Sequence, residues 1–172
     1  KASEADLISV SAHKIHGIKG AGGLYISKEI RIKPYILGGG QENGMFSGTE
    51  PLPALVAFGE AADEIKSIEE NLAKVTEIRD YLASSLGSFD GVYINSPADA
   101  LPYILNISVE GIPSQVTVNG LSEMGVYISA GSACSKGHRS YALESAGLDS
   151  GRIDSAVRVS LSRFTSKEEI DY

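Results

Sequence analysis

The sequence predicts an α/β fold in which helices cover one face of a β-sheet. Apolar segments typical of strands occur near both ends of the 172-residue chain, and a long stretch of helical periodicity lies between them. The second half then alternates between strand and helix patterns, which indicates a layered α+β arrangement.

Two predicted strands and their glycine-rich connections make up the first part of the chain. Residues 7–10 are an apolar run typical of a short buried strand, and residues 23–27 form a second run. A glycine-rich loop at 17–22 joins them. A second glycine cluster, at 38–40, opens an irregular stretch that reaches Thr49. Such clusters mark sharp turns or backbone that approaches a neighbour closely.

A long helical region follows these strands. Apolar residues recur every three or four positions between residues 55 and 86, which predicts one long amphipathic helix or two in tandem, bent near Gly59. Pro51 and Pro53 suit its start, and Gly87 suits its end. We expect this region to be scaffold.

The remaining predicted elements are shorter. Strand patterns occur at 91–94, 103–109, 126–129 and 156–161, helical patterns occur at 114–124 and 140–147, and 168–172 has the pattern of a first helical turn. Because the chain begins without an initiator methionine and its last residues fit the start of a helix, we expect it to be an internal piece of a longer protein.

The composition argues against several classes of function. The 15 Lys and Arg residues against 22 Asp and Glu give a net charge of −7 without a basic block, which disfavours nucleic acid or an anionic membrane as partner. No apolar run approaches the roughly 20 residues of a membrane-spanning helix. The single cysteine excludes an internal disulfide framework and a cysteine-based zinc site. We therefore expect a soluble, cytoplasmic protein without a metal.

Ser11, His13 and Lys14 follow the first predicted strand and precede the glycine-rich loop. A lysine at a strand end, once desolvated, can act as a nucleophilic amine and form a Schiff base with a carbonyl cofactor. Hydroxyl and imidazole groups can donate hydrogen bonds to a phosphate, and backbone N–H groups of a glycine-rich loop can point towards it. From residue types alone, a solvated surface turn is the commoner explanation.

Cys134 lies in a run of small residues, with Lys136, His138 and Arg139 close behind it. The cations favour the thiolate, which is the reactive form of cysteine, and the small neighbours favour a loop that can move. A passive cysteine is the alternative. A Cys–His hydrolase is disfavoured because no Asn or Asp that would orient His138 is evident.

Two further segments carry groups suited to binding anions. Arg158 lies between two valines in a predicted strand, so its guanidinium points either to solvent or into a cleft where it can bind a carboxylate. In residues 38–49, Ser47 and Thr49 offer hydroxyl groups and Gly48 offers an exposed N–H, although no P-loop pattern is present. A purely structural loop explains this second segment equally well.

Together these four segments resemble the pyridoxal-phosphate-dependent cysteine desulfurases, in that family's order and along essentially the whole chain. The motifs are Ser-x-His-Lys from Ser11, Gly-Gly-Gly-Gln-Glu-x-Gly-x-x-Ser-Gly-Thr from Gly38, Ser-Ala-Gly-Ser-Ala-Cys-Ser from Ser129 and Arg-x-Ser-Leu-x-Arg-Phe-Thr from Arg158. The resemblance implies the fold-type-I transferase architecture. Residues 1–50 would end the large cofactor-binding domain, and residues 51–172 would form the small C-terminal α+β domain.

The same resemblance implies roles for individual residues. Lys14 would hold pyridoxal 5′-phosphate as a Schiff base and then move a proton on the bound substrate, while Ser11 and His13 would hold the cofactor's phosphate. Thr49 would reach the cofactor phosphate of the partner subunit, since family members are homodimers with shared sites. Arg158 would bind the carboxylate of L-cysteine.

The resemblance also implies the reaction. Cys134 would take the sulfur atom of L-cysteine as a persulfide, leave L-alanine, and pass the sulfur to an acceptor protein such as an iron–sulfur cluster scaffold. A selenocysteine lyase or related class-V enzyme and a non-catalytic sulfur-relay module are the alternatives. Phe46 stands where the family has an arginine. The family's ring-stacking aromatic and its Asp partner of the pyridine nitrogen would precede Lys1, so we expect the isolated chain to be weakly active or inactive.

Overall fold

The computed structural model describes residues 4–131 and 139–172, which form two compact units, Lys1–Ile68 and Glu69–Tyr172. These units reflect contacts within this chain. The domain boundary expected near residue 50 refers to a longer protein and stays a prediction.

The first unit begins with a two-stranded antiparallel sheet. Strand β1 (Leu7–Ser11) pairs with β2 (Gly22–Ile26), so both predicted strands are confirmed to within one or two residues. The burial expected for residues 7–10 is wrong, since Leu7 and Val10 are 47% and 49% exposed. A sheet of only two strands leaves most of both its faces uncovered, and such a sheet has little stability of its own.

Two helices in tandem follow. Of the two arrangements that the sequence allows, one long helix or two in tandem, the second is therefore confirmed. Helix α1 (Leu52–Glu64) and helix α2 (Ile68–Leu86) are separated by a 3₁₀ turn at Ile65–Ser67. The bend expected near Gly59 is therefore wrong, and Gly59 lies inside α1. A single glycine weakens a helix by about 1 kcal/mol relative to alanine but does not break its hydrogen bonding, so the interruption occurs elsewhere.

The second unit contains a three-stranded antiparallel sheet in the order β3-β4-β5. Its strands and the remaining described helices are β3 (Val92–Ile94), β4 (Ile104–Val109), α3 (Ser114–Glu123), α4 (Tyr141–Ser145), α5 (Ser150–Asp154), β5 (Ala156–Ser160) and α6 (Lys167–Asp171). The strand predicted at 126–129 does not form, because only Ser129 pairs there, in a single bridge. Helix α5 was not predicted, and its N-cap is the side chain of Asp149, which accepts a hydrogen bond from the Arg152 backbone N–H.

The hydrophobic core of the second unit lies between α2 and the sheet. Val75 of α2, Leu105 of β4 and Val157 of β5 are fully buried, and Leu82 and Ile107 are nearly so. The burial of β4 and β5 does not alternate strictly, because Ser108 and Ala156 are buried next to Ile107 and Val157, so residues on both faces of the sheet are covered. The core therefore depends on pairing between β4 and β5.

Replacing Leu105 tests this account of the core. Leu105→Ala removes a fully buried side chain, and we expect it to lower the free energy of unfolding by about 2–5 kcal/mol. Urea unfolding followed by far-ultraviolet circular dichroism measures the change. Leu101→Ala is the matched control, since Leu101 is 62% exposed and its truncation should cost less than about 0.5 kcal/mol. Equal losses from the two variants would contradict the assignment of the core.

Candidate functional site

The turn after β1 holds three of the predicted site residues. Ser11 ends the strand opposite Gly22 and is half-buried. The 3₁₀ turn Ala12–Ile15 carries His13 and Lys14, whose side chains are both exposed. The structure thus brings a hydroxyl, an imidazole and a primary amine together at one end of the first sheet.

The backbone of this turn is closely packed around Ala12. Ala12 has no exposed surface, its N–H donates to the Ala21 carbonyl oxygen at 3.0 Å, and its own carbonyl oxygen accepts from the Gly17 N–H at 2.9 Å. A Cβ atom at residue 17 would lie 3.0 Å from the Ala12 side chain, closer than ordinary van der Waals contact. Lys14 therefore projects from a tightly constrained turn.

The loop that contains Thr49 is closed by its own hydrogen bonds. The Gln41 side-chain oxygen accepts from the Gly48 N–H at 3.2 Å, and the Gly44 N–H donates to the Gly40 carbonyl oxygen at 2.9 Å. Gly48 is exposed, as the sequence predicts, but its N–H is not free to bind an anion, because the side chain of Gln41, seven positions earlier, accepts its hydrogen bond. Thr49 follows this loop and is exposed.

Arg158 occupies the middle of β5 and pairs with a neighbour on each side. It faces Asn106 in β4, and on the other edge its N–H donates to the Ser129 carbonyl oxygen at 2.7 Å, while the Ser129 N–H donates back at 3.1 Å. The Arg158 Nη2 atom also donates to Ser129 Oγ at 3.4 Å. The side chain is half-buried, and its Nε atom is shielded from solvent without a hydrogen-bond partner in the described residues. Arg158 is thus not a freely solvated surface residue.

The predicted nucleophile Cys134 lies outside the described residues, as do Lys136 and His138. Arg139 is described, and it forms a bidentate ion pair with Asp154 through contacts of 2.8 and 2.7 Å. The hydrogen bond and the negative charge of Asp154 raise the pKa of Arg139. The sequence predicts that the positive charge of Arg139 favours the Cys134 thiolate. In the structure that charge is compensated by the carboxylate of Asp154.

A cavity of about 310 Å³ in the second unit is lined by none of the predicted site residues. Arg152 stacks over the Tyr93 ring at 5.1 Å, and Tyr93 donates a hydrogen bond of 3.0 Å to Glu110. That hydrogen bond and the Glu110 charge raise the pKa of Tyr93.

In residues 4–131 and 139–172, no helix is long and apolar enough to cross a bilayer, and no cluster of three His, Cys, Asp or Glu side chains is placed to hold a metal.

Sequence reasoning missed two residues that contact the site. Ser129 belongs to one of the motifs, but its pairing with Arg158 required the strand pairing to be known. Asp154 gave no sequence signal, since nothing in the chain marks it as the partner of a residue 15 positions earlier. Both contacts arise from tertiary structure.

Two of the predicted site residues have side chains suited to binding a ligand. Lys14 presents an exposed amine on a tight turn, and Arg158 is a strand residue whose Nε atom is shielded from solvent. Such an amine suits a carbonyl cofactor, and such a guanidinium suits a carboxylate. The family model described as aminotransferase class-V matches residues 1–172. The chain belongs to that family, whose members depend on pyridoxal phosphate.

Relatives and solved structures agree with this assignment. The chain is 40% identical to a protein named cysteine desulfurase IscS from Colwellia psychrerythraea, over 100% of this chain and 44% of the relative. It is 35% identical to a cysteine desulfurase from Nostoc, over 99% of this chain and 44% of the relative. A solved NifS-like protein superposes with a TM-score of 0.88 at 35% identity, over 98% of this chain and 44% of that one. The chain thus spans less than half the length of the curated relatives it matches.

Replacing Gly22 tests the close packing beside the Lys14 turn. A Cβ atom there would lie 2.8 Å from the Val10 carbonyl oxygen, so Gly22→Ala forces β2 away from β1. We expect amides in residues 5–27 to lose protection in hydrogen exchange measured by mass spectrometry. Gly59→Ala, where nothing lies within 4 Å, is the control and should leave these amides unchanged. Equal protection in both variants would argue against a tightly packed turn.

Proposed function

We propose that this chain is part of a pyridoxal-phosphate-dependent cysteine desulfurase, which converts L-cysteine to L-alanine and carries the sulfur atom on Cys134. The proposal rests on the chain-long similarity to proteins named cysteine desulfurase, at 40% identity in the case of the Colwellia relative. Because the chain spans 44% of that relative, the complete activity is proposed for the whole protein.

The donors at the end of β1 fit the cofactor in kind. Pyridoxal phosphate combines an aldehyde, which a primary amine can bind covalently, with a phosphate, which hydroxyl and imidazole groups can hold. Lys14, His13 and Ser11 supply these three groups within four consecutive residues. When bound, the cofactor supplies an electron sink that weakens the bonds at the substrate's Cα and Cβ atoms.

Lys14 and Arg158 have distinct roles in this proposal. The Lys14 amine holds the cofactor and afterwards moves the proton of the substrate's Cα atom. Arg158 binds the substrate carboxylate. A buried N–H without a partner is costly, and a carboxylate that accepts two parallel hydrogen bonds from a guanidinium satisfies it. The shielded Nε of Arg158 supports this role.

Cys134 accepts the sulfur atom. Its thiolate attacks the sulfur of L-cysteine, a sulfur–sulfur bond forms, and the carbon–sulfur bond breaks with its electron pair remaining on the three-carbon product. That product takes up the proton released by the Cys134 thiol and becomes L-alanine. One cysteine and one protein thiol thus give one alanine and one protein persulfide, so no outside oxidant or reductant is required.

We further propose a homodimer, in which Thr49 contacts the phosphate bound by the partner subunit, and an iron–sulfur cluster scaffold protein as sulfur acceptor. Thr49 is exposed and follows a loop that the hydrogen bond between Gly48 and Gln41 closes. This exposure supports the contact with the partner subunit, because the Thr49 hydroxyl is accessible to another chain. We propose a cytoplasmic location, since a reactive thiol persists in a reducing compartment.

Lys14→Ala tests the cofactor role in the whole protein. We expect it to abolish the visible absorbance of the bound cofactor and to lower alanine formation from L-cysteine by roughly 10³-fold or more, because the covalent attachment and the proton transfer are both lost. Absorption spectroscopy and amino-acid analysis measure the two effects. Lys28→Ala, at another exposed lysine of the same unit, should change neither. Full activity in Lys14→Ala would contradict the cofactor role, whereas the absence of a cofactor band from the wild-type whole protein would favour a non-catalytic sulfur-relay module.

Cys134→Ala separates desulfuration from related chemistry. We expect the variant to bind the cofactor normally but to form no alanine from L-cysteine, because no thiolate remains to accept the sulfur. Each substrate, L-cysteine and L-selenocysteine, is assayed for alanine, with Ser135→Ala as the control. Loss with L-cysteine alone, beside full turnover of L-selenocysteine, would favour a selenocysteine lyase.

A further inference from the structure

Arg158 has a polar neighbour on each side in the sheet. Its backbone N–H and carbonyl oxygen both bond to Ser129, at 2.7 and 3.1 Å, and Asn106 lies opposite it in β4. Residues directly opposite each other in antiparallel strands have their side chains on the same face of the sheet. The side chains of Ser129, Arg158 and Asn106 therefore form one row, on the face opposite to that of Val157.

Asn106 bonds to residues on its other side. Its carbonyl oxygen accepts from the backbone N–H groups of Asn95 and Ser96, and its own N–H donates to Ser96 Oγ at 2.8 Å. Its side-chain oxygen accepts from Asn95 Nδ2 at 2.7 Å. These described contacts hold Asn106 to the β3 side of the sheet rather than to the guanidinium of Arg158.

Ser129 supplies an acceptor for that guanidinium. A guanidinium group has only donors, so it needs oxygen atoms to bond to. The Ser129 hydroxyl oxygen accepts from Arg158 Nη2 at 3.4 Å, and the serine side chain is half-buried. The Nε atom of Arg158 is shielded from solvent and has no hydrogen-bond partner in the described residues. The contact with Ser129 therefore restricts the rotation of the guanidinium and leaves Nε unsatisfied.

We propose that Ser129 is a positioning residue for Arg158, and that its hydroxyl holds the guanidinium in the orientation that binds the carboxylate of L-cysteine. This inference rests on the proposed desulfurase function, which gives Arg158 that role. A carboxylate binds a guanidinium best through two parallel hydrogen bonds, so the plane of the guanidinium must be oriented. A side chain that is oriented beforehand loses less conformational entropy when the ligand binds. In this role Ser129 contacts Arg158 and not the substrate.

Kinetics of the whole protein test the role of the hydroxyl. Ser129→Ala removes the acceptor, and we expect KM for L-cysteine to rise roughly 3- to 10-fold with kcat unchanged, because carboxylate binding weakens equally in the ground and transition states. Ser129→Thr keeps a hydroxyl and should hold KM within about twofold of the wild-type value. Ser84→Ala is the matched control, since it removes an exposed hydroxyl that donates to the Tyr81 carbonyl oxygen in α2, and it should change neither constant.

A double-mutant cycle shows whether Ser129 acts through Arg158. Arg158→Lys keeps the positive charge but lacks the planar fork, so a hydroxyl that orients this fork has nothing to orient in that background. We expect Ser129→Ala to raise KM much less in Arg158→Lys than in the wild type, which the cycle records as coupling between the two residues. Equal increases of KM in the two backgrounds would overturn the proposal. An unchanged KM in Ser129→Ala, or a Ser129→Thr variant as impaired as Ser129→Ala, would overturn it as well.

Chemical modification of Arg158 provides a second readout that needs no catalysis. Phenylglyoxal reacts with guanidinium groups, and mass spectrometry of peptides from the treated whole protein measures the rate at each arginine. We expect Ser129→Ala to raise the rate at Arg158, because the guanidinium is released from its acceptor. The rate at Arg163, whose guanidinium lies over the Phe164 ring, is the internal reference and should stay unchanged.

Hydrogen exchange in the same variant separates the hydroxyl from the backbone. The bridge between Ser129 and Arg158 uses backbone groups only, so Ser129→Ala should leave amide exchange unchanged in residues 126–131 and 156–160. Faster exchange there would mean that the variant opens the bridge, and it would overturn the assignment to the hydroxyl.

The two readouts distinguish this inference from the proposed function. If the wild-type whole protein forms no alanine from L-cysteine while Ser129→Ala still speeds the modification of Arg158, the desulfurase function fails and the orientation of Arg158 by Ser129 stands. If alanine forms normally and the modification rate of Arg158 does not change, the positioning role fails and the proposed function stands.

Discussion

Hydrogen bonding along both edges of β5 is the constraint on which the second unit depends. One edge pairs with β4, and the other forms the bridge between Arg158 and Ser129. Because side chains of a strand alternate between faces, a shift of one residue would carry Val157 out of the core and Arg158 into it. Pairing on both edges opposes such a shift. The same backbone hydrogen bonds therefore keep Val157 in the core and Arg158 on the opposite face of the strand.

The first unit positions its reactive group differently. Its two-stranded sheet has half-exposed apolar residues on both strands, such as Val10 and Leu24, and no fully buried strand residue among those described. Order around Lys14 comes from close backbone contacts of Ala12, Gly17 and Gly22. Contacts of this kind define a turn but bury little apolar area, so they stabilise it weakly. The surroundings of Lys14 therefore have little stability to resist local opening.

Periodicity in the sequence predicted most elements because strands and helices repeat over short distances. The strands around residues 7–11 and 156–160 and the tandem helices α1 and α2 were visible in this way. The segment 126–129 has the composition of a strand but pairs through one residue only, and pairing depends on partners far along the chain. Gly59 was assigned a bend on intrinsic propensity, whereas the helix continues through it. Local patterns identify elements, and tertiary contacts decide their limits.

Site residues were predictable where their chemistry conflicts with their surroundings. An arginine between two valines of a strand is unusual, because its partly buried guanidinium needs partners that the strand itself does not supply. Arg158 could be singled out from the sequence for that reason. In the structure its Nε atom is shielded from solvent and has no hydrogen-bond partner among the described residues. Gln41 and Asp154 are polar residues of a kind common on protein surfaces, so no sequence pattern marks them. Their hydrogen-bond partners lie 7 and 15 positions away in the chain. A local violation of pattern thus identifies a candidate site residue, whereas residues such as Gln41 and Asp154 become visible only through the contacts they make.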